Sequence, residues 1–225
     1  RRPQSQPGHS DHDGRPPGVV ERLTRASFSD ELKEEFMNTL TRMGAMYLKL
    51  SAPFGRRGFR TFMSMLVKFW PDQAKELCTA TLDDGQLFSF PAGDAYWQYY
   101  FLTGKEYEQE IRSFIRAMPT APEFFVDGGA NFGFWSVLLS KNIRTVSIEA
   151  SSDTMGMLLL NNRNNGAKFS VEHAALSRTA GAEISFSKNS DHASRAIVDD
   201  QSENVERVIT TTVDEVVERH YSGSG

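Results

Sequence analysis

Apolar residues recur at helical spacing in two early stretches. Leu32, Phe36, Leu40, Met43 and Tyr47 follow one another at steps of three and four, and Ser27 with Asp30 fits a capping box ahead of them. This predicts an amphipathic helix starting at Ser27. A second helix is expected from about Phe59 to Trp70, with Phe62, Leu66 and Phe69 on one face and Pro71 stopping it. Residues 77 to 90 carry apolar residues on both sides of Asp83-Asp84-Gly85, with Thr, Phe and Leu enriched, the pattern of a β-hairpin. A helix is expected over 104 to 118, with Tyr107, Ile111, Phe114 and Ile115 together and Pro119 beyond. From Phe124 the pattern alternates. Strands at 124–126, 145–148 and 169–174 enclose helices at about 134–140 and 153–164. That βαβαβ order, with strands apolar enough for cover on both faces, predicts an α/β fold with a Rossmann-like, doubly wound parallel sheet. Further strands are expected at 182–188, 193–199 and 205–212, then a helix at 213–220.

Composition narrows the class. In 225 residues, 39% apolar side chains with 16 Phe and 3 Trp suffice for a sizeable core. Lys and Arg number 25 against 29 acids, a net charge of −4, so no general polyanion binder, and no nucleic-acid partner, is indicated. Cys78 is the single cysteine and reads as a buried structural residue. No apolar run is long enough to span a bilayer, and the polar N-terminus lacks a signal-peptide centre, so an integral membrane segment is not expected and the compartment is expected to be cytoplasmic. Residues 1–18 are rich in Pro, Gly, Ser, His and Asp and read as a disordered tail. His9, Asp11, His12 and Asp13 match no closed metal site, and no metal is expected there. Arg56, Arg57, Arg60 and Lys68 around the second helix would suit a lipid surface, but a helix packed on the domain or on a partner is the preferred reading.

The chemistry concentrates after the first strand of the βαβαβ unit, in Asp127-Gly128-Gly129-Ala130-Asn131-Phe132-Gly133. Small residues there let backbone approach a ligand, Asn131 tolerates positive φ, and the helix that follows offers free first-turn amides. Asp127 is placed to meet an ammonium group in the crevice at the strand ends. Glu149, closing the second strand, can accept two hydrogen bonds from a ribose diol. The dinucleotide pattern Gly-x-Gly-x-x-Gly fails in either phase, because Ala130 or Asn131 stands where its second glycine belongs. A nucleotide- or NAD-dependent protein is therefore disfavoured.

The loop fits Gly-x-Asn-x-Gly, and Phe125 through Ser136 resembles the first motif of FkbM-type S-adenosylmethionine-dependent methyltransferases, with its Asp-x-Gly-Ala-Asn-x-Gly core. The likeness extends to Glu149-Ala150, to the Asn-rich end Leu158 through Asn165, and to His173-Ala174-Ala175-Leu176-Ser177. Ala150 departs from the family's frequent Pro. Glu106-Tyr107-Glu108 resembles the family's lead-in and Thr211 through Val216 its Thr-x-Asp stretch, so the resemblance covers about 77–218.

What it implies is a class I methyltransferase fold, residues 77–220, behind a helical extension at 19–76, with 221–225 a flexible end. It also implies S-adenosylmethionine as cofactor, a small-molecule methyl acceptor such as a sugar hydroxyl, and a pocket from Asp127, Gly128, Gly129, Ala130, Asn131, Gly133, Glu149 and Ala174. His173, His192 and Asp214 are titratable candidates for a general base, but the resemblance designates none, and the catalytic residue stays unassigned. The family continues into a Lys-Ile-Asp-x-Glu-Gly strand that this sequence lacks. The expectation is a truncated fold whose first strand is an uncovered edge, which binds cofactor weakly or not at all and lacks part of its catalytic apparatus, with a non-catalytic scaffold as the alternative.

Overall fold

The computed structural model describes residues 38–82, 85–187 and 205–221. Its first helix, α1 (Thr39–Leu50), begins where Asn38 leaves the helical region (φ −68°, ψ 170°) and accepts the Thr41 amide at 3.0 Å. A side chain that satisfies a first-turn donor in this way sets a helix start. The helix holding Leu40, Met43 and Tyr47 therefore begins at Thr39 rather than running on from Ser27. Ser27 to Met37 lie outside the described residues, as do the expected tail at 1–18, Asp83-Asp84, the expected strand at 193–199, His192 and residues 222–225.

After a short 3-10 turn (Ala52–Phe54) come α2 (Phe59–Phe69) and α3 (Pro71–Lys75). Pro71 opens α3 at its first turn, where a missing N–H costs nothing, instead of ending helical structure. The buried stripe of α2 is Phe59, Met63 and Leu66 rather than the expected Phe62, Leu66 and Phe69. Phe69 is 69% exposed. The stripe rotates because α2 packs into a cluster with Leu40 and Leu48 of α1, Ala74 of α3, and Tyr99 and Leu102 of a helix the sequence did not announce, α4 (Ala95–Thr103). Asp94 caps α4 by accepting the amides of Tyr96 and Trp97 at 2.9 and 3.0 Å.

The hairpin is present. β1 (Leu77–Thr81) and β2 (Leu87–Pro91) pair antiparallel, with Cys78 opposite Phe90. Cys78 is buried against Thr41 and Gln98, and burial pushes its thiol pKa up, as suits a structural residue. α5 (Gln109–Ala117) starts later than expected, and it buries Arg112 and Ile115 while leaving Ile111 and Phe114 exposed.

The alternating half follows as β3 (Phe124–Gly128), α6 (Phe134–Leu139), β4 (Arg144–Glu149), α7 (Ser152–Asn164) and β5 (Ser170–His173). The three strands form a parallel sheet in the order β3-β4-β5, with Asp127 level with Ser147. The architecture is thus a mixed α/β fold with a parallel sheet and helices. Among the described residues β3 is paired on one side only, the edge position expected for it. Three further strands, β6 (Ala175–Leu176), β7 (Glu183–Ser187) and β8 (Val205–Thr211), lie in the order β6-β8-β7, and α8 (Val213–His220) follows. The main core joins Phe88 and Phe90 of β2, Trp97 of α4 and Phe134, Val137, Leu138 and Leu139 of α6. Among the described residues no helix is long and apolar enough to cross a membrane.

Candidate functional site

The loop from Gly128 to Gly133 is built by the end of the neighbouring strand. Gly129 and Ala130 both donate their amides to the Ile148 carbonyl, at 2.8 and 3.0 Å. Asn131 donates its own to Glu149 Oε2 at 2.8 Å, and the other carboxylate oxygen, Oε1, accepts the Ser151 amide at 2.8 Å. Glu149 thus ties the loop after β3 to the loop after β4. To close this path the backbone turns left-handed at Gly129 (φ 74°), Asn131 (φ 53°) and Gly133 (φ 82°). Asn131 takes the positive φ expected of it, a conformation that Asn adopts more readily than other side chains do. At Gly133 a Cβ would also stand 2.5 Å from Leu158 Cδ1, so the position is glycine for two reasons.

The loop amides of Gly129, Ala130 and Asn131 are all engaged by β4, and of the first-turn amides of α6 expected to be free, that of Ser136 is taken by Asp127. Asp127 is likewise engaged. Its Oδ2 accepts the Ser136 amide at 3.1 Å and the Ser136 hydroxyl at 2.6 Å, and that hydroxyl lies 2.6 Å from Ser147 Oγ. The carboxyl is 8% exposed, and its pKa is pushed up to about 6, chiefly by burial, with the carboxylates of Glu108 and Glu149 adding to the rise against the lowering by Ser136.

Beside β3 lies a cavity of about 320 Å³. Asp127, Gly128, Gly129 and Ala130 form one wall, and Trp97, Tyr107, Phe134 and Trp135 supply aromatic surface. Glu108 completes it. Glu108 has a left-handed backbone (φ 43°) unusual for its side-chain type, and its Oε2 accepts the Trp135 indole N–H at 2.6 Å. Behind this wall the wholly buried Arg112 lies over the rings of Phe134 and Trp135, 5.6 and 5.8 Å from their centroids, and donates to the Tyr107 carbonyl at 3.2 Å. An acid-and-aromatic cavity of this kind suits a cation carried on an organic body.

Of the residues expected to bind cofactor, Asp127, Gly128, Gly129 and Ala130 line this cavity, whereas Glu149, Asn131 and Gly133 do not. Glu149 is 9% exposed, and two polar atoms in its neighbourhood have no partner: Asn131 Oδ1 and Ser151 Oγ. Ala174 stands at the end of β5, donates its amide to the Glu149 carbonyl at 3.1 Å, and packs with Val146 and Ile148.

Glu108, Ser136 and Trp135 were not found from the sequence. Glu108 and Trp135 sit inside quoted motifs, but only their approach across the cavity reveals a role. Among the general-base candidates, His173 Nε2 is 2.9 Å from the Ala150 carbonyl and Asp214 is exposed in the first turn of α8; neither lines the cavity. Among the described residues no group of His, Cys, Asp and Glu is arranged to hold a metal. Comparison with family models, with curated proteins and with solved structures finds no match for this chain.

Proposed function

We propose that this chain is an S-adenosylmethionine-dependent methyltransferase acting on a hydroxyl of a sugar or another small metabolite. One observation carries the reading: Asp127 and Glu149 close adjacent parallel strands, with the Gly128–Gly133 loop folded between them beside an aromatic, acidic cavity. An open α/β sheet binds its ligand at this place. Asp127 with Glu108 offers negative charge to an ammonium group, and the aromatic faces of Tyr107, Phe134 and Trp135 suit a sulfonium. Glu149 retains acceptor capacity beyond its two amide bonds, and with Asn131 Oδ1 and Ser151 Oγ it can satisfy a ribose diol.

The bound cofactor would supply an electrophilic methyl group, so the protein's task is alignment of the acceptor rather than activation by an elaborate residue set. The acceptor class comes from the family resemblance at residues 125–136. The test is calorimetric titration of S-adenosylmethionine and S-adenosylhomocysteine into the chain and into Asp127→Asn and Glu149→Gln. Binding that both substitutions weaken is the expected result. A folded protein that binds neither compound would sink the proposal.

The second reading, a non-catalytic binding module, is favoured by the prior engagement of both Glu149 oxygens and by the one-sided pairing of β3 among the described residues. Binding of cofactor without methyl transfer to any of a panel of sugars and phenols would support it over the first.

A further inference from the structure

A second cavity, of about 440 Å³, opens between the start of α2 and the exposed side of α4. Its charged side chains are Arg56 and Arg60, its aromatic walls are Tyr96, Tyr99 and Tyr100, and Thr61 adds a hydroxyl. No acid lines it. Lys105 places its Nζ 5.4 Å from the Tyr99 ring centroid, which adds a third cation to the neighbourhood.

Two features show that this surface is ordered and electrostatically incomplete. The loop carrying Arg56 is held in place: Tyr47 Oη donates to the Arg57 carbonyl at 2.6 Å, and the Arg56 amide donates to the Ser51 carbonyl at 3.0 Å. Arg56 itself adopts a left-handed backbone (φ 58°), a strained choice for a long side chain, and strain of this sort collects where a side chain must be aimed. The Nε of Arg56 is buried and has no hydrogen-bond partner. A guanidinium N–H without an acceptor is costly, and an oxyanion relieves it. Arg60 is set over the Tyr96 ring, 5.6 Å from its centroid, and so faces the cavity with part of its fork free. Neither arginine has a carboxylate partner among the described residues.

We propose that this cavity binds a phosphate monoester, the phosphate held by Arg56 and Arg60 and its organic body packed against Tyr96, Tyr99 and Tyr100. Two guanidinium groups match a dianion, and Arg forks match phosphate oxygens geometrically. The space exceeds what a bare phosphate fills, and the tyrosine faces give the remainder an apolar, ring-accepting wall. Tyr96 is held neutral, since burial above all pushes its pKa up to about 12, so it adds no negative charge against the ligand. The inference is independent of the methyltransferase reading. The phosphate ester could be a soluble metabolite or a lipid headgroup, because Leu50 and Phe54, just ahead of the Arg56 loop, are 69% and 76% exposed.

Phenyl phosphate is the probe, titrated calorimetrically against inorganic phosphate and phenol as comparators. In parallel, phosphatidylcholine vesicles with and without phosphatidic acid are tested by co-sedimentation. The expected result is that phenyl phosphate binds more tightly than either comparator and that Arg56→Gln with Arg60→Gln weakens it roughly tenfold or more. Lys68→Gln, a charge change on the same helix away from the cavity, should leave binding unaltered, and circular dichroism checks that each variant is folded. Binding to phosphatidic acid vesicles alone, lost in the same double variant, would assign the lipid source. Absence of binding to both probes, or an equal loss in Lys68→Gln, would overturn the proposal.

Discussion

The two cavities share their wall material and differ in their charge. In the strand-end cavity Tyr107, Phe134 and Trp135 surround Asp127 and Glu108, whereas in the helical-layer cavity Tyr96, Tyr99 and Tyr100 surround Arg56 and Arg60. They meet at one aromatic cluster, in which Tyr96, Tyr100 and Tyr107 have ring centroids 5.2 to 6.0 Å apart. Aromatic surface alone thus does not choose the ligand; the backbone that delivers the charge does. At the strand ends Asp127 and Glu149 arise from a parallel sheet and are already hydrogen-bonded by Ser136 or by loop amides, while Glu108, just ahead of α5, accepts the Trp135 indole N–H. In the helical layer Arg56 arises from a glycine-bounded loop and Arg60 from the first turn of α2, and one guanidinium N–H is left unmet. The first site is a frame that can accept a cation, while the second is a deficit that an anion relieves.

The strongest way to break the comparison is through Asn161, which supports only one side of it. Its side chain accepts the Ser89 amide at 2.7 Å and donates to the Ser89 and Phe132 carbonyls at 3.0 and 2.8 Å, locking the hairpin to the strand-end loop. Asn161→Ala is expected to lower stability by about 3 kcal/mol or more in urea unfolding, because three buried bonds are lost and their partners stranded. Binding at the strand ends should fall with it. Phenyl phosphate binding by the fraction still folded should not.

Asp127→Asn should act in the opposite direction on stability. A carboxyl with a pKa raised from 3.8 to about 6 binds more protons folded than unfolded between those values, so stability falls as pH rises through that window and the cost persists above it. Removing the charge should therefore stabilise the fold at pH 7 by on the order of 2 kcal/mol, measured by urea unfolding. The variant should at the same time lose affinity for a cationic ligand. An equal loss of stability and affinity would show Asp127 to be only a cap for α6. In the unsubstituted protein, affinity for such a ligand should climb as pH rises from 5 to 6.5 and then level off, since binding needs the ionised form. A pH-independent affinity would place the cation elsewhere.

Asn38→Ala sharpens the helical side. It removes the cap of α1 together with bonds to the Gln73 carbonyl and Glu76, and should cost about 1 kcal/mol. Cofactor binding at the strand ends should be untouched, as calorimetry would show.

Sequence reasoning read the alternating half well and the helical layer poorly, for reasons visible in particular residues. The β3-to-β5 stretch announces itself because its strands are short, apolar and punctuated by Gly and Asn, and Asn131 has the φ inferred for it. α4 escaped because it packs on both sides, through Trp97, Phe101, Tyr96 and Tyr100 on the main core and through Ala95, Tyr99 and Leu102 on the helical cluster, and leaves no one-sided apolar period. The buried face of α5 differs from the apolar one expected because Arg112 is buried over two rings while Ile111 and Phe114 are exposed. At the candidate site the positions of Asp127 and Glu149 were legible from strand ends and spacing. Their prior engagement by amides was not, because it depends on how two loops meet in space.

The shared aromatic wall has an optical consequence. Trp97 lies 4.8 Å and Trp135 6.3 Å from Tyr107, ring centroid to centroid, and Tyr107 touches Tyr96 and Tyr100, so light absorbed by the tyrosines of either cavity is expected to pass to these two indoles. Trp70 stands apart at the end of α2 and contributes background. In Trp70→Phe the emission should therefore report occupancy of either cavity without any attached dye. Quenching or a spectral shift on adding phenyl phosphate would mean that ligand at the arginines is felt at Trp97, across the ring contacts of Tyr96 and Tyr100 with Tyr107.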